Sequence, residues 1–225
     1  MTSVFCSWSG GKDCCLALYR AINSGLDVKY LVNTVSEDGK RSRSHGVFSE
    51  VIQMQSKALD IPLVQGRTTN ETYEEVFVNM LKRLGKKGIE GGVFGDIDYQ
   101  PHREWEENVC RRAGMKSYLP LWQEDEQKLV EKFIDAGFKS IVVTVNDKYF
   151  DDTVLGRKVD REFLSQVQGL AKTENVSPAG EAGEFHTLVI DGPIFKYRLA
   201  LLDTEPITHD GYHFLQVHKS GLTEK

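Results

Sequence analysis

The sequence predicts an α/β protein, a doubly wound parallel sheet with a smaller C-terminal α+β domain, and three observations predict it. Short apolar runs alternate with amphipathic stretches over the first 120 residues. Those runs are apolar on both faces, as strands buried between helix layers must be. After Trp122 the alternation ends, and the order becomes helix, strand, helix and then three strands. The domains are therefore 1–122 and 123–225, with no linker rich in Pro, Gly or Ser between them.

Each element has its own signal. Strands are expected over 4–8, 28–35, 62–65 and 89–95, with a fifth at Tyr118 and Leu119. Between them, Cys15, Leu18 and Ile22 recur at helical spacing, as do Val47, Val51, Met54 and Ala58. Tyr73, Val76, Phe77, Met80 and Leu84 make a third stripe, and Trp105, Val109 and Ala113 a fourth. Gly25, Gly85 and Gly114 stop helices. In the second half, helices are expected over 126–136 and 159–171 and strands over 139–145, 187–190, 197–202 and 213–217. Right-handed crossovers wind the first half into a sheet whose ligand crevice lies at the carboxyl ends of its strands.

Composition narrows the function classes. The net charge of −5 and the lack of a Lys/Arg block disfavour a nucleic-acid partner; the nearest basic cluster, Lys40, Arg41 and Arg43, is short. No stretch approaches the roughly 20 apolar residues that span a bilayer, and the first residues lack a basic signal-peptide region. Cys6, Cys14, Cys15 and Cys110 have no CxxC spacing, so they read as reduced thiols of a cytoplasmic protein. A homo-oligomer stays open.

The first chemical motif is Ser9, Gly10, Gly11, Lys12 and Asp13, between the first strand and the first helix. Two glycines permit a tight turn with positive φ and let backbone N–H groups approach a ligand. The following helix offers unsatisfied N–H groups and a partial positive charge. Lys12 adds a mobile full charge, and the whole reads as a phosphate cradle. The spacing is neither GxxxxGK[ST] nor GxGxxG, so γ-phosphate transfer is not implied. The second motif runs Pro178, Ala179, Gly180, Glu181, Ala182, Gly183, Glu184, Phe185, His186 and Thr187 into a strand. Loops of this kind hold polar groups at a pocket mouth; the plain alternative is a solvated turn.

The first motif resembles the PP-loop, SGGxDS, of the N-type ATP pyrophosphatases, which cleave ATP between its α- and β-phosphates. Cys14 stands where that pattern has Ser, and a thiol is the weaker donor. The second motif, followed by Asp191, Gly192 and Pro193, is similar to the hallmark of the PP-loop subgroup related to diphthine–ammonia ligase. Further matching segments are Gly95-Asp96-Ile97, His102-Arg103-Glu104-Trp105, Leu119-Pro120-Leu121-Trp122, Asp135-Ala136-Gly137-Phe138, Leu155-Gly156-Arg157 and Ser42-Arg43-Ser44-His45.

The resemblance implies a Rossmann-like ATP-binding domain and an ATP-dependent ligase that releases AMP and pyrophosphate. A carboxylate, in the family that of diphthine on elongation factor 2, is adenylated and then amidated by ammonia. ATP would sit on Ser9, Gly10, Gly11, Lys12, Asp13 and Cys14, with His45 at the nucleotide or merely exposed in its loop. Lys12, Glu184 and His186 are the expected catalytic residues: Glu184 for base work or binding, and His186 assisting. His102, Arg103, Glu181, Gly183, Glu184 and Thr187 are expected on the acceptor side. Arg103 could clamp an anion, or else form a surface ion pair. Asp13 and Asp96 are candidates for Mg²⁺ beside the phosphates, or for helix caps. A tRNA-modifying enzyme and a non-catalytic ATP sensor remain the alternatives. Sulfur transfer is disfavoured because the Cys pairs it uses are absent, and core packing is the better role for Cys15.

Overall fold

The computed structural model describes residues 1–43, 46–174 and 176–225. The chain divides into two compact units, Met1–Ser9 with Asp13–Gln123, and Gly10–Lys12 with Glu124–Lys225.

The first unit alternates strand and helix: β1 (Ser3–Ser7), α1 (Lys12–Asn23), β2 (Asp27–Val35), α2 (Ser49–Leu59), β3 (Leu63–Arg67), α3 (Tyr73–Gly85), β4 (Gly91–Val93), α4 (Gln100–Arg112) and β5 (Lys116–Tyr118). The strands form one parallel sheet in the order β3-β2-β1-β4-β5. The chain winds outward from β1 to β3, then restarts on the other side of β1 with β4. The strand order thus reverses beside β1, and ligands of such sheets bind outside the carboxyl ends of the strands at that point. Phe5, Val32 and Phe94 pack with the apolar stripes of α3 and α4, among them Phe77, Leu81, Leu84 and Val109. Phe5 meets Phe77 and Phe94 edge to face, the arrangement that aromatic quadrupoles favour.

The expected strand over 89–95 is shorter, Gly91–Val93, with backbone bonds continuing one residue on each side, from the Glu90 N–H to the Ser3 carbonyl and from the Phe94 N–H to the Tyr118 carbonyl. Residues 95–99 run as a loop at the carboxyl edge. Pro101 then sits in the first turn of α4, where its missing N–H costs nothing.

The second unit holds α5 (Glu126–Asp135), β6 (Lys139–Asn146), a short 3₁₀ turn (Asp152–Val154), α6 (Arg161–Glu174), β7 (Phe185–Asp191), β8 (Arg198–His209) and β9 (Tyr212–Thr223). Its antiparallel sheet runs β7-β6-β9-β8. Asp125 caps α5, accepting the Lys128 N–H at 2.9 Å. Phe150, Phe163 and Phe185 interlock in its core, and Phe133 stacks on Phe138. The β8–β9 ribbon runs well past the expected 197–202 and 213–217.

Candidate active site

In the first unit the phosphate-loop region begins where β1 ends. The Trp8 N–H donates to the Val32 carbonyl at 2.8 Å, the last rung before the chain turns. Gly10 takes φ 88°, a left-handed conformation that side chains rarely adopt, and α1 starts two residues later. The Ser9 hydroxyl donates to the Cys14 thiol at 3.3 Å, so the residue that departs from the PP-loop pattern is tied to the loop's first residue. A Cβ on Gly95, just beyond β4, would lie 2.7 Å from the Cys14 nitrogen. Glycine at 95 therefore lets the end of β4 press against the first turn of α1. Cys6 and Cys15 are fully buried, and burial pushes both thiols well above their ordinary pKa. They behave as core side chains, not nucleophiles.

In the second unit, Gly10–Lys12 packs against the start of β7. The Gly10 carbonyl accepts the Val189 N–H at 2.9 Å, and the Lys12 N–H donates to the Thr187 hydroxyl at 3.0 Å. The Lys12 ammonium donates to the Ala179 carbonyl and lies 5.4 Å from the Phe185 ring centroid. Lys12 is only 4% exposed. The expected mobile charge is thus a buried, positioned one, because a carbonyl and an aromatic face replace its water.

Glu184, 2% exposed, accepts the Ser177 N–H at 2.7 Å on one carboxylate oxygen and the Ala182 N–H at 3.0 Å on the other. Glu126 accepts both the Ser177 hydroxyl and the Ala179 N–H. The two carboxylates thus brace the loop, and each oxygen of Glu184 is engaged by a backbone N–H. His186 is held neutral, its pKa pushed down to about 4 by burial and by the Lys12 charge. Thr187 is engaged by Lys12, Gly183 turns at φ 86°, and Glu181 is exposed.

A third group lies on the loop after β4 and on α4. The His102 Nδ1 and Asp96 Oδ1 are 2.7 Å apart. Glu106, one turn further along α4 and 3% exposed, hydrogen-bonds to the same Asp96. Burial, the bond to Asp96 and the Asp96 charge raise the Glu106 pKa to about 11. Glu106 is therefore the acid and Asp96 the carboxylate of the pair. Burial alone would raise Asp96, yet the bonds from His102 and Glu106 and the His102 charge hold it below its ordinary value. The Asp96 bond raises His102. Arg103 pairs with Glu107 at 2.7 Å and lies 5.0 Å from the Trp122 ring, so the ion-pair reading fits it better than an anion clamp.

These contacts bear on Mg²⁺. Asp96 is committed to an imidazole and a neutral acid and does not suit a hard cation that demands octahedral oxygen ligands. Among the described residues no group of three or more His, Cys, Asp or Glu side chains could hold a metal ion. Asp13, half-buried in the first turn of α1, is the remaining candidate. His45 lies outside the described residues. Sequence reasoning missed Glu106, Glu126 and Ser177. Only Glu106 carried a readable signal, standing four residues after His102 on one helix face.

Two family models together match almost the whole chain. Residues 2–117 match the diphthamide synthase N-terminal domain and residues 125–222 its C-terminal domain. The chain belongs to the diphthamide synthase family. Among relatives, the diphthine–ammonia ligase of Schizosaccharomyces pombe is 32% identical over 89% of this chain and 36% of its own length. The enzymes of that name from Rattus norvegicus and Homo sapiens are 29% and 28% identical, each over 93% of this chain and 86% of their own length. This diphthamide synthase family member thus spans about a third of the fission-yeast protein and most of the mammalian ones. A solved structure from Methanocaldococcus jannaschii, described as a predicted subunit of tRNA methyltransferase, is 15% identical with a TM-score of 0.44, covering 85% of this chain and 98% of that one. No helix among the described residues is long and apolar enough to cross a membrane.

Proposed function

We propose that this protein is an ATP-dependent ligase that adenylates a carboxylate and amidates it with ammonia, releasing AMP and pyrophosphate. The acceptor proposed is diphthine on elongation factor 2, and the setting the cytoplasm. The observation that carries this reading is the left-handed turn at Gly10 feeding directly into α1, on a chain matched over most of its length by the diphthamide synthase models. Backbone N–H groups at a helix N-terminus suit a leaving pyrophosphate. ATP is assigned to residues 9–14, with Mg²⁺ beside its phosphates on Asp13. When bound, the ion would offset phosphate charge.

This chain's own residues divide the remaining work. Lys12 supplies a fixed positive charge, preorganised by Ala179 and Phe185, and electrostatic stabilisation is strongest when nothing must reorganise. His186, neutral at physiological pH, offers an imidazole for hydrogen bonding to the acceptor. The exposed Glu181 gives the acceptor side a carboxylate that suits a cationic group such as diphthine's. Glu184 holds the loop that presents them. The buried, proton-retaining Cys6 and Cys15 weigh against sulfur transfer to tRNA.

Chromatography of the nucleotide products tests the reading. AMP and pyrophosphate are expected in equal amounts, dependent on acceptor. Stoichiometric ADP would rule out this cleavage. Lys12→Ala is expected to lower turnover by about 10²–10³, the loss typical of one preorganised donor.

A further inference from the structure

Asp96, His102 and Glu106 form a chain of hydrogen bonds that the phosphate loop does not use. Asp96 follows β4 and His102 and Glu106 lie on α4, so the group stands at the carboxyl edge of the sheet, where the strand order reverses beside β1. Gly95, the residue before Asp96, is packed on the backbone of Asp13 and Cys14. The group therefore begins one residue from the phosphate-loop helix.

The three members have graded exposure. Glu106 is buried, the Asp96 side chain is 27% exposed and the His102 side chain 63%. The His102 Nδ1 is fixed on Asp96, which leaves Nε2 as the ring's other nitrogen, and the Tyr99 ring meets the imidazole edge to face at 4.8 Å. A histidine oriented through Nδ1 by a carboxylate, itself held by a third group, is the general-base arrangement. Tyr73 on α3 and Glu107 and Cys110 on α4 are the other titratable groups acting on the pair, and Arg43 acts on Tyr73.

We infer that His102 is the general base of the amidation step, with Asp96 and Glu106 as its positioning residues. This rests on the ligase reading above. As the nitrogen lone pair forms the C–N bond, the acyl C–O bond breaks and its electron pair leaves on AMP. The surplus N–H proton passes to His102 Nε2, its electron pair staying on nitrogen, and Asp96 stabilises the imidazolium. Glu106 keeps its proton throughout and spends it on Asp96.

The test measures AMP release with ATP, ammonium chloride and diphthine-bearing elongation factor 2 across pH. His102→Ala is expected to lower kcat by about 10²-fold or more with the KM for ATP unchanged. It should also lose the limb of the pH profile that rises as the imidazole deprotonates, and regain activity with added imidazole. Asp96→Asn should shift that limb to lower pH, since Asp96 raises the His102 pKa. Glu106→Gln, whose amide still donates to Asp96, should retain turnover that Glu106→Leu loses. His102→Ala turning over like wild type with an unchanged pH profile would overturn the assignment while leaving the ligase intact. A wild type that releases no AMP would end the ligase reading and this inference with it.

Discussion

In the loop over 176–187 Glu184 turns inward while Glu181 stays exposed. Glu184 and Glu126 spend their oxygens on backbone N–H groups, and Lys12 spends its ammonium on a carbonyl. In the segment from Gly95 to Glu106 the order is reversed, because a buried acid holds a carboxylate and the carboxylate holds an exposed imidazole. Each region carries a histidine and a buried glutamate, yet burial and the Lys12 charge make His186 a weaker base while Asp96 makes His102 a stronger one. Residue type alone does not tell a scaffold from a reagent. What decides is whether the last group in the hydrogen-bond chain faces protein or solvent.

Breaking the scaffold should lower stability at every pH. Glu184→Ala removes the acceptor of the part-buried hydrogen bonds from the Ser177 and Ala182 N–H groups, at a cost of roughly 3 kcal/mol, since hydrogen bonds to charged groups contribute about 1.5–3 kcal/mol each. Urea denaturation checks this, and a midpoint equal to wild type would deny the bracing role. His102→Ala, on an exposed side chain, should leave the same midpoint unchanged, which separates the two regions cleanly.

A second, pH-dependent effect comes from the proton on Glu106. Its folded pKa of about 11 stands above the ordinary 4.5, so the folded protein binds that proton more tightly than the unfolded chain does. The resulting stability is complete below 4.5 and is lost progressively as pH rises toward 11. Glu106→Gln removes the titration. Its Tm should therefore fall less than that of wild type between pH 6 and pH 9. Parallel Tm curves for the two proteins would show that Glu106 carries no such proton.

The sequence made the parallel sheet legible because its strands are apolar runs with no polar alternation, and the glycine-rich turn legible because Gly10 must take a left-handed φ. The β8–β9 ribbon was read too short for the opposite reason. Asp203, Thr204 and Glu205 lie exposed on β8, so no period of two announces a strand there. The loop over 178–187 was found by composition, but the bracing role of Glu184 was not, since a carboxylate held by amides and one held by water have the same letter. Glu106 was hidden among Glu104, Glu106 and Glu107, and only its burial distinguishes it. Asp96 stood out by its place after a strand. Its partners on α4 then exchange the metal reading for an orienting one.

The most direct measurement follows nitrogen itself. With ¹⁵N-ammonium chloride, ATP and diphthine-bearing elongation factor 2, mass spectrometry of the acceptor and chromatography of the nucleotide are run on the same reaction. One ¹⁵N is expected in the acceptor for each AMP released, with neither product formed when ATP or acceptor is withheld. AMP released without nitrogen entering the acceptor, or nitrogen entering without AMP, would contradict the coupling of adenylation to amidation.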